Sequence, residues 1–334
     1  MVFKRVLSMF GVGGSTVDTV LANPEVRPGT FLEGHVELAG GEVDVDIEEI
    51  VLALVSRVEL DGHDAEVGAE FARIPVAGSF RLAAGERHSI PFRFPIPWQT
   101  PLTEAGGGSL PGMVLGLRTD VVVDRAADKG DLDRVLVHPL PVQDRVLEAL
   151  HRLGFVLKGA DVEAGHLAGT AQEFPFFQEI EFHPSPRYAH EVNEVEVSFV
   201  ADPHGMDVII EFDRRGGMFT EGQDLYGRFR VEHAEAGYDD WTAKVDSWVA
   251  GALERHRALF GGHGHYGYEG GHYGYEGGHP GYHGHDDHGG SGLGTAAAVG
   301  LGVAGGVVAG MVAAEVVDEI GDFFEGEEDE GDEE

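Results

Sequence analysis

Cysteine is absent from this chain of 334 residues. Disulfide frameworks, thiolate metal sites and cysteine nucleophiles go with it. Cations are scarce as well. The chain carries 23 Lys and Arg against 59 Asp and Glu, a formal net charge of −36, and 4 of the 23 are Lys. Beyond Arg257 there is no Lys or Arg, while 16 Asp and Glu follow. A surface this acidic repels phosphate, which argues against nucleic acid as a partner and leaves cationic protein faces and divalent metals. Catalytic signatures are missing too. There is no GxSxG, P-loop, dinucleotide fingerprint or HExxH, and His190-Glu191 lacks the second His of a zincin. Neither catalysis nor a cofactor is expected. The apolar run at the N-terminus is too short and interrupted for a secretory signal, so the expected location is cytoplasmic, peripheral to the inner face of the cell membrane.

What the chain has instead is a series of short runs with apolar residues two apart. Leu32, Val36 and Leu38 alternate with Glu33, His35 and Glu37; Ile90, Phe92, Phe94 and Ile96 repeat the pattern. So do Val195, Val197 and Phe199, and later Leu225, Phe229 and Val231. Period two marks strands with one face on a core and one in water. Many such runs without helical patterns between them predict stacked antiparallel sheets. The middle of 47–60, Ile50 to Val55, is apolar on both faces and predicts a central strand. The proline-rich stretch 91–101 predicts an edge strand, because Pro cannot donate to a ladder. Residues 104–112, EAGGGSLPG, read as a flexible loop.

Two helical patterns interrupt the strands. In 141–153, Val146, Leu147, Leu150 and Leu153 share a face and Gly154 follows as a stop, a short helix joining two domains. In 238–258, Trp241, Val245, Trp248, Val249, Ala252 and Leu253 make a stripe at helical spacing, a helix docked on its own domain. A third is expected over 1–14, where Val2, Phe3, Val6, Leu7 and Phe10 fall on one helical face. The organisation is then a lead-in helix (1–14), a first β domain (15–142), a linker helix (143–154), a second β domain (155–233), a closing helix and a tail.

The order and wording of several strings resemble the SpoOM family of bacterial sporulation-control proteins. They are TVDTVL at 16–21, RPG at 27–29, GG at 40–41 leading into LVSRVE, and IPFRFPIPWQTPLT at 90–103. GDLD at 130–133, LPVQDRVLEALHRLGF at 140–155, FQEIEF at 177–182 and YAHEVNEVEVSF at 188–199 follow in order. The resemblance implies a mainly β fold, two arrestin-like β-sandwich domains in tandem. It also implies an adaptor or scaffold that binds protein partners in developmental or cell-division control. No family active site comes with it.

Residues 261–334 lie outside the resemblance. HYGYEGG occurs twice, at 265–271 and 272–278, in a Gly-rich stretch that cannot bury a core and predicts disorder. Its pairs His263/His265 and His283/His285, with Asp286 and Asp287 nearby, are the candidate ligands for weak divalent-metal binding. Residues 289–314 carry no charge. On a helix, Ala298, Gly302, Gly306, Gly310 and Ala314 would form a smooth ridge of the kind that packs membrane helices. The expectation for 292–317 is therefore membrane contact or homo-oligomerisation, ahead of a solvated acidic tail over 318–334.

Overall fold

The structure, a computed structural model, describes residues 8–10, 13–59, 66–123, 126–214, 227–237, 240–260 and 310–311. In the first half, β1 (Ser8–Phe10), β2 (Ser15–Leu21), β3 (Glu25–Val26), β4 (Phe31–Ala39), β5 (Val45–Glu59), β6 (Glu66–Ala77), β7 (Phe80–Leu82) and β8 (Arg87–Pro95) follow in turn. The hairpin of β9 (Glu104–Ala105) and β10 (Gly108–Ser109) comes next, then β11 (Leu115–Val123), β12 (Ala126–Arg134) and β13 (Leu136–Val137). One layer is the antiparallel sheet β1-β2-β4-β8. The other is built on β5, with β11 on one side and β6 and β7 on the other. Thr19 and Thr119 tie the layers together through their hydroxyls, 2.6 Å apart in the interior.

Ile50 to Val55 are all buried, as apolar character on both faces of β5 requires. In β4 the alternation is clean: Leu32, Val36 and Leu38 are buried and Phe31 and Glu33 exposed. The proline-rich strand β8 pairs with β4 alone, so Pro91 and Pro95 sit where a missing N–H costs nothing.

Two local expectations are corrected here. Ser8–Phe10 is a strand paired with β2, not part of a lead-in helix. Met9 is 74% exposed and Phe10 2%, a period-two alternation, and the open edge of β2 supplies hydrogen bonds that a short isolated helix could not match. Residues 104–109 form a tight hairpin. Gly106 and Gly107 take φ of +60° and +86°, the left-handed pair that a two-residue turn needs.

The second half begins with α1 (Pro141–Arg152) and continues through β14 (Val156–Ala164), β15 (Phe176–His183), β16 (Val192–Ala201), β17 (Gly205–Arg214) and β18 (Gly227–Glu232). A 3₁₀ turn at His233–Gly237 leads into α2 (Trp241–Phe260). The five strands form an antiparallel meander. Its apolar face carries Ile180, Val197, Val208, Ile210 and Val231, all buried. Helix α2 lies against that face. Trp248 stacks on Phe229 at 4.7 Å, and Val245 and Val249 are fully buried.

The halves are joined in three ways. β14 runs parallel to β5, with Glu163 opposite Glu59, so the larger sheet is continuous through both halves. Phe71 of β6 meets Phe174 and Phe176 edge-to-face at 5.3 and 5.6 Å. Gln178 of β15 bonds both backbone groups of Leu102.

Finally, β19 (Gly310–Met311) pairs antiparallel with β6, Gly310 opposite Glu70 and Met311 opposite Ala69. Gly310, expected on a helical ridge, is here in strand backbone on an open sheet edge. Ala298, Gly302, Gly306 and Ala314 lie outside the described residues, as do His263, His265, His283 and His285.

Candidate functional site: a groove, an edge and an acidic face

Three surfaces meet around the joint between the halves. The first is a groove of about 790 Å³ between the tip of the β9–β10 hairpin, α1 and the start of the second sheet. The sequence builds α1 with clear limits. Pro141 opens it, the Leu140 N–H donates to the Gln143 side chain at 2.7 Å, and Gly154 ends it at φ +88°. Val142, Val146, Leu147 and Leu150 are buried beneath it. Phe155, Leu157, Ile180 and Phe182 give the groove an apolar wall, and Asp144, Arg145 and Glu148 a charged one. Arg145 is held in place, bonding Glu148 at 3.0 Å and the Ala236 carbonyl at 3.2 Å. Burial pushes the Asp144 carboxyl above its ordinary value, against the pull of Arg27 at 3.9 Å. No Ser, Thr, Tyr or Lys lines the groove. An apolar wall facing Asp144, Arg145, Glu148 and His151 suits an amphipathic segment.

The second surface is the outer edge of β6. Beneath it lies a semi-buried ion cluster. Arg118 bonds Glu70 at 2.7 Å and Asp120 at 2.9 Å through two nitrogens. This cluster fixes the Glu70 side chain beside the register shift at Phe71, and the chain's own Gly310–Met311 pairs with the backbone edge at Ala69 and Glu70.

The third surface is the face of the second sheet turned away from α2. Strand register places Asp161 opposite Glu179, Glu181 opposite Glu196, and Glu196 opposite Glu211. One carboxylate oxygen from each of Asp161, Glu163 and Glu179 lies within 4.8 Å of the others; the same holds for Glu179, Glu196 and Glu211, and for Glu181, Glu194 and Glu196. Lys158 caps one end, bonding Glu194 at 2.6 Å and Glu181 at 3.2 Å. Burial, then neighbouring acids, push Glu179 up to about 10 and Glu196 to about 8. Asp161 is raised to about 7 by the same two causes. These residues were not singled out from the sequence, although acids two apart stand in each strand, at 161 and 163, 179 and 181, and 194 and 196. Asp44 bonds Arg81 at 2.6 Å and accepts the Ala84 N–H at 2.8 Å.

Comparison with known proteins fixes the lineage. The SpoOM protein family matches residues 3–216. The chain belongs to the SpoOM family. The sporulation-control protein spo0M of Bacillus subtilis (strain 168) is 32% identical over 265 residues, covering 76% of this chain and 98% of the relative. The crystal structure of Spo0M from Bacillus subtilis superposes with a TM-score of 0.61 at 30% identity, covering 73% of this chain and 99% of that one. The mainly β SpoOM fold and the kinship with a sporulation-control protein are therefore established. Among the described residues, no helix is long and apolar enough to cross a membrane.

Proposed function

We propose that this chain is a non-enzymatic regulatory adaptor of the sporulation-control type, which captures an extended segment of a protein partner along the outer edge of β6. The observation that carries the reading is the seating of Gly310–Met311 on that edge. An edge that accepts two residues of its own chain offers the same backbone donors and acceptors to another. The groove beside α1 adds an amphipathic surface for a flanking part of the same partner.

The absence of cysteine makes the edge directly testable. Ala69→Cys with Met311→Cys should form a disulfide in the full chain under mild oxidation, since the two residues face each other in register. Met311→Pro should open the edge and increase photocrosslinking of partners to a probe at position 69. Crosslinks that ignore both substitutions would remove β6 from the mechanism. Expression in Bacillus subtilis lacking its own sporulation-control protein tests the regulatory reading, with restored sporulation expected. The rival reading, membrane contact or self-assembly through 292–317, is separated by liposome flotation. We expect the full chain not to float, and Gly306→Leu to change neither flotation nor sedimentation.

A further inference from the structure

The geometry points to a divalent-cation site of the calcium class on the acidic face of β14–β17, centred on Glu179. Acidic residues on a protein surface are common without a ligand. What distinguishes this group is the state of its central member. Glu179 is 9% exposed, and no hydrogen bond or ion pair among the described residues reaches its carboxyl group. A carboxyl so largely withdrawn from water without a partner is costly. It is also shared by two of the three close groups, as is Glu196, so its carboxylate lies where the others converge. Asp161 repeats the anomaly: its Oδ1 is buried without a hydrogen-bond partner.

The strand register explains how such a face is assembled. Asp161 and Glu179 are cross-strand neighbours, and so are Glu196 and Glu211. Like charges directly opposite one another destabilise a sheet unless something sits between them. Lys158 relieves the far end through Glu181 and Glu194, and does not reach Glu179. Glu59 of β5 adds negative charge from the joint with the first half.

The donor set narrows the ligand. Every member is a carboxylate, with no imidazole in the group, which selects hard cations and disfavours zinc or copper. Oxygens spread over as much as 4.8 Å must close on the ion, and calcium tolerates irregular geometry where magnesium demands a tight octahedron.

The test uses the full chain in about 0.15 M salt, where loose counter-ion binding to the acidic surface is screened. Calcium is titrated by calorimetry and by thermal unfolding. We expect saturable binding and a raised unfolding temperature, with magnesium weaker. Glu179→Gln copies the shape of the protonated acid and should fold at least as well without calcium, yet lose affinity by about tenfold or more. Glu196→Gln should do the same and guards against a folding defect in the first variant. Binding that is absent, or unaffected by both substitutions, overturns the site; in the second case the ions sit on the tail or the general surface. Magnesium binding as tightly as calcium overturns the calcium assignment.

Discussion

Gln178 and Leu102 hold the two halves of the chain together as a closed pair: the Leu102 N–H donates to Gln178 Oε1 at 2.9 Å, and Gln178 Nε2 donates to the Leu102 carbonyl at 2.8 Å. One side chain thus completes a backbone ladder across a joint where no strand is available. Gln178→Ala leaves both backbone groups of a buried residue unpaired, and should cost about 1–3 kcal/mol in chemical denaturation. If the loss is confined to this joint, amide exchange should quicken around 100–104 and leave β16–β18 unchanged.

Arg118 is the keystone of the β6 edge, bonded to both Glu70 and Asp120. Replacement by Met strands the Asp120 carboxyl and leaves Glu70 only Arg73 at 3.5 Å, both acids being almost fully buried. We expect a loss of about 3–5 kcal/mol. The triple replacement that also makes Glu70→Gln and Asp120→Asn should recover most of it. A triple variant as unstable as the single one would show that packing of the guanidinium stem, not charge, dominates.

Phe71 supplies the aromatic contact between the first sandwich and the loop before β15. It is fully buried, so Phe71→Ala should destabilise by about 3–5 kcal/mol. Phe71→Leu keeps the volume of the site better and should lose much less, as measured by the unfolding midpoint.

The chain should be more stable in mild acid than in mild alkali. Burial, then the charges of Asp131 and Asp18, push Asp133 up to about 8, and burial above all raises Asp131 to about 6. The folded state keeps protons that the unfolded chain gives up near 3.8. Stability is therefore greatest below that pH and falls as pH rises through about 6 and then about 8. Glu179, Glu196 and Asp161 act in the same sense. Asp133→Asn should flatten the fall of the unfolding temperature between about pH 6 and pH 9. An unchanged slope would mean that Asp133 ionises freely in the fold.

Much of the fold is legible in the sequence because burial and hydration impose local periods. β4 and β16 show alternation, β5 shows its two buried faces at Ile50 to Val55, and the stripe from Trp241 to Leu253 shows its helical spacing. β14 was not legible. It opens with Val156, Leu157 and Lys158 all exposed, and its register shifts between Leu157 and Gly159, so the alternation is confined to Ala160–Glu163. At the N-terminus, Phe10 satisfies a helical spacing and a strand spacing equally well, and only the edge of β2 decides between them. The groove could be anticipated from the position of α1. The acidic face could not, because acids two apart in separate strands become neighbours only through pairing over tens of residues. The edge of β6 was equally hidden: nothing local to Ala69 says that residues 310 and 311 return to it.

The continuity of the larger sheet sets a timetable for the newborn chain. β5 is fifteen residues long and apolar on both faces, and it leaves the ribosome early. Its parallel neighbour β14 emerges about a hundred residues later, roughly 5–20 s at ordinary rates of synthesis. Through that interval β11 and β6 can flank β5, but at Glu59, already opposite Glu66 of β6, the other side waits for β14. Chaperone dependence and aggregation of chains stalled before residue 163 are the cost of a sheet that belongs to both halves at once.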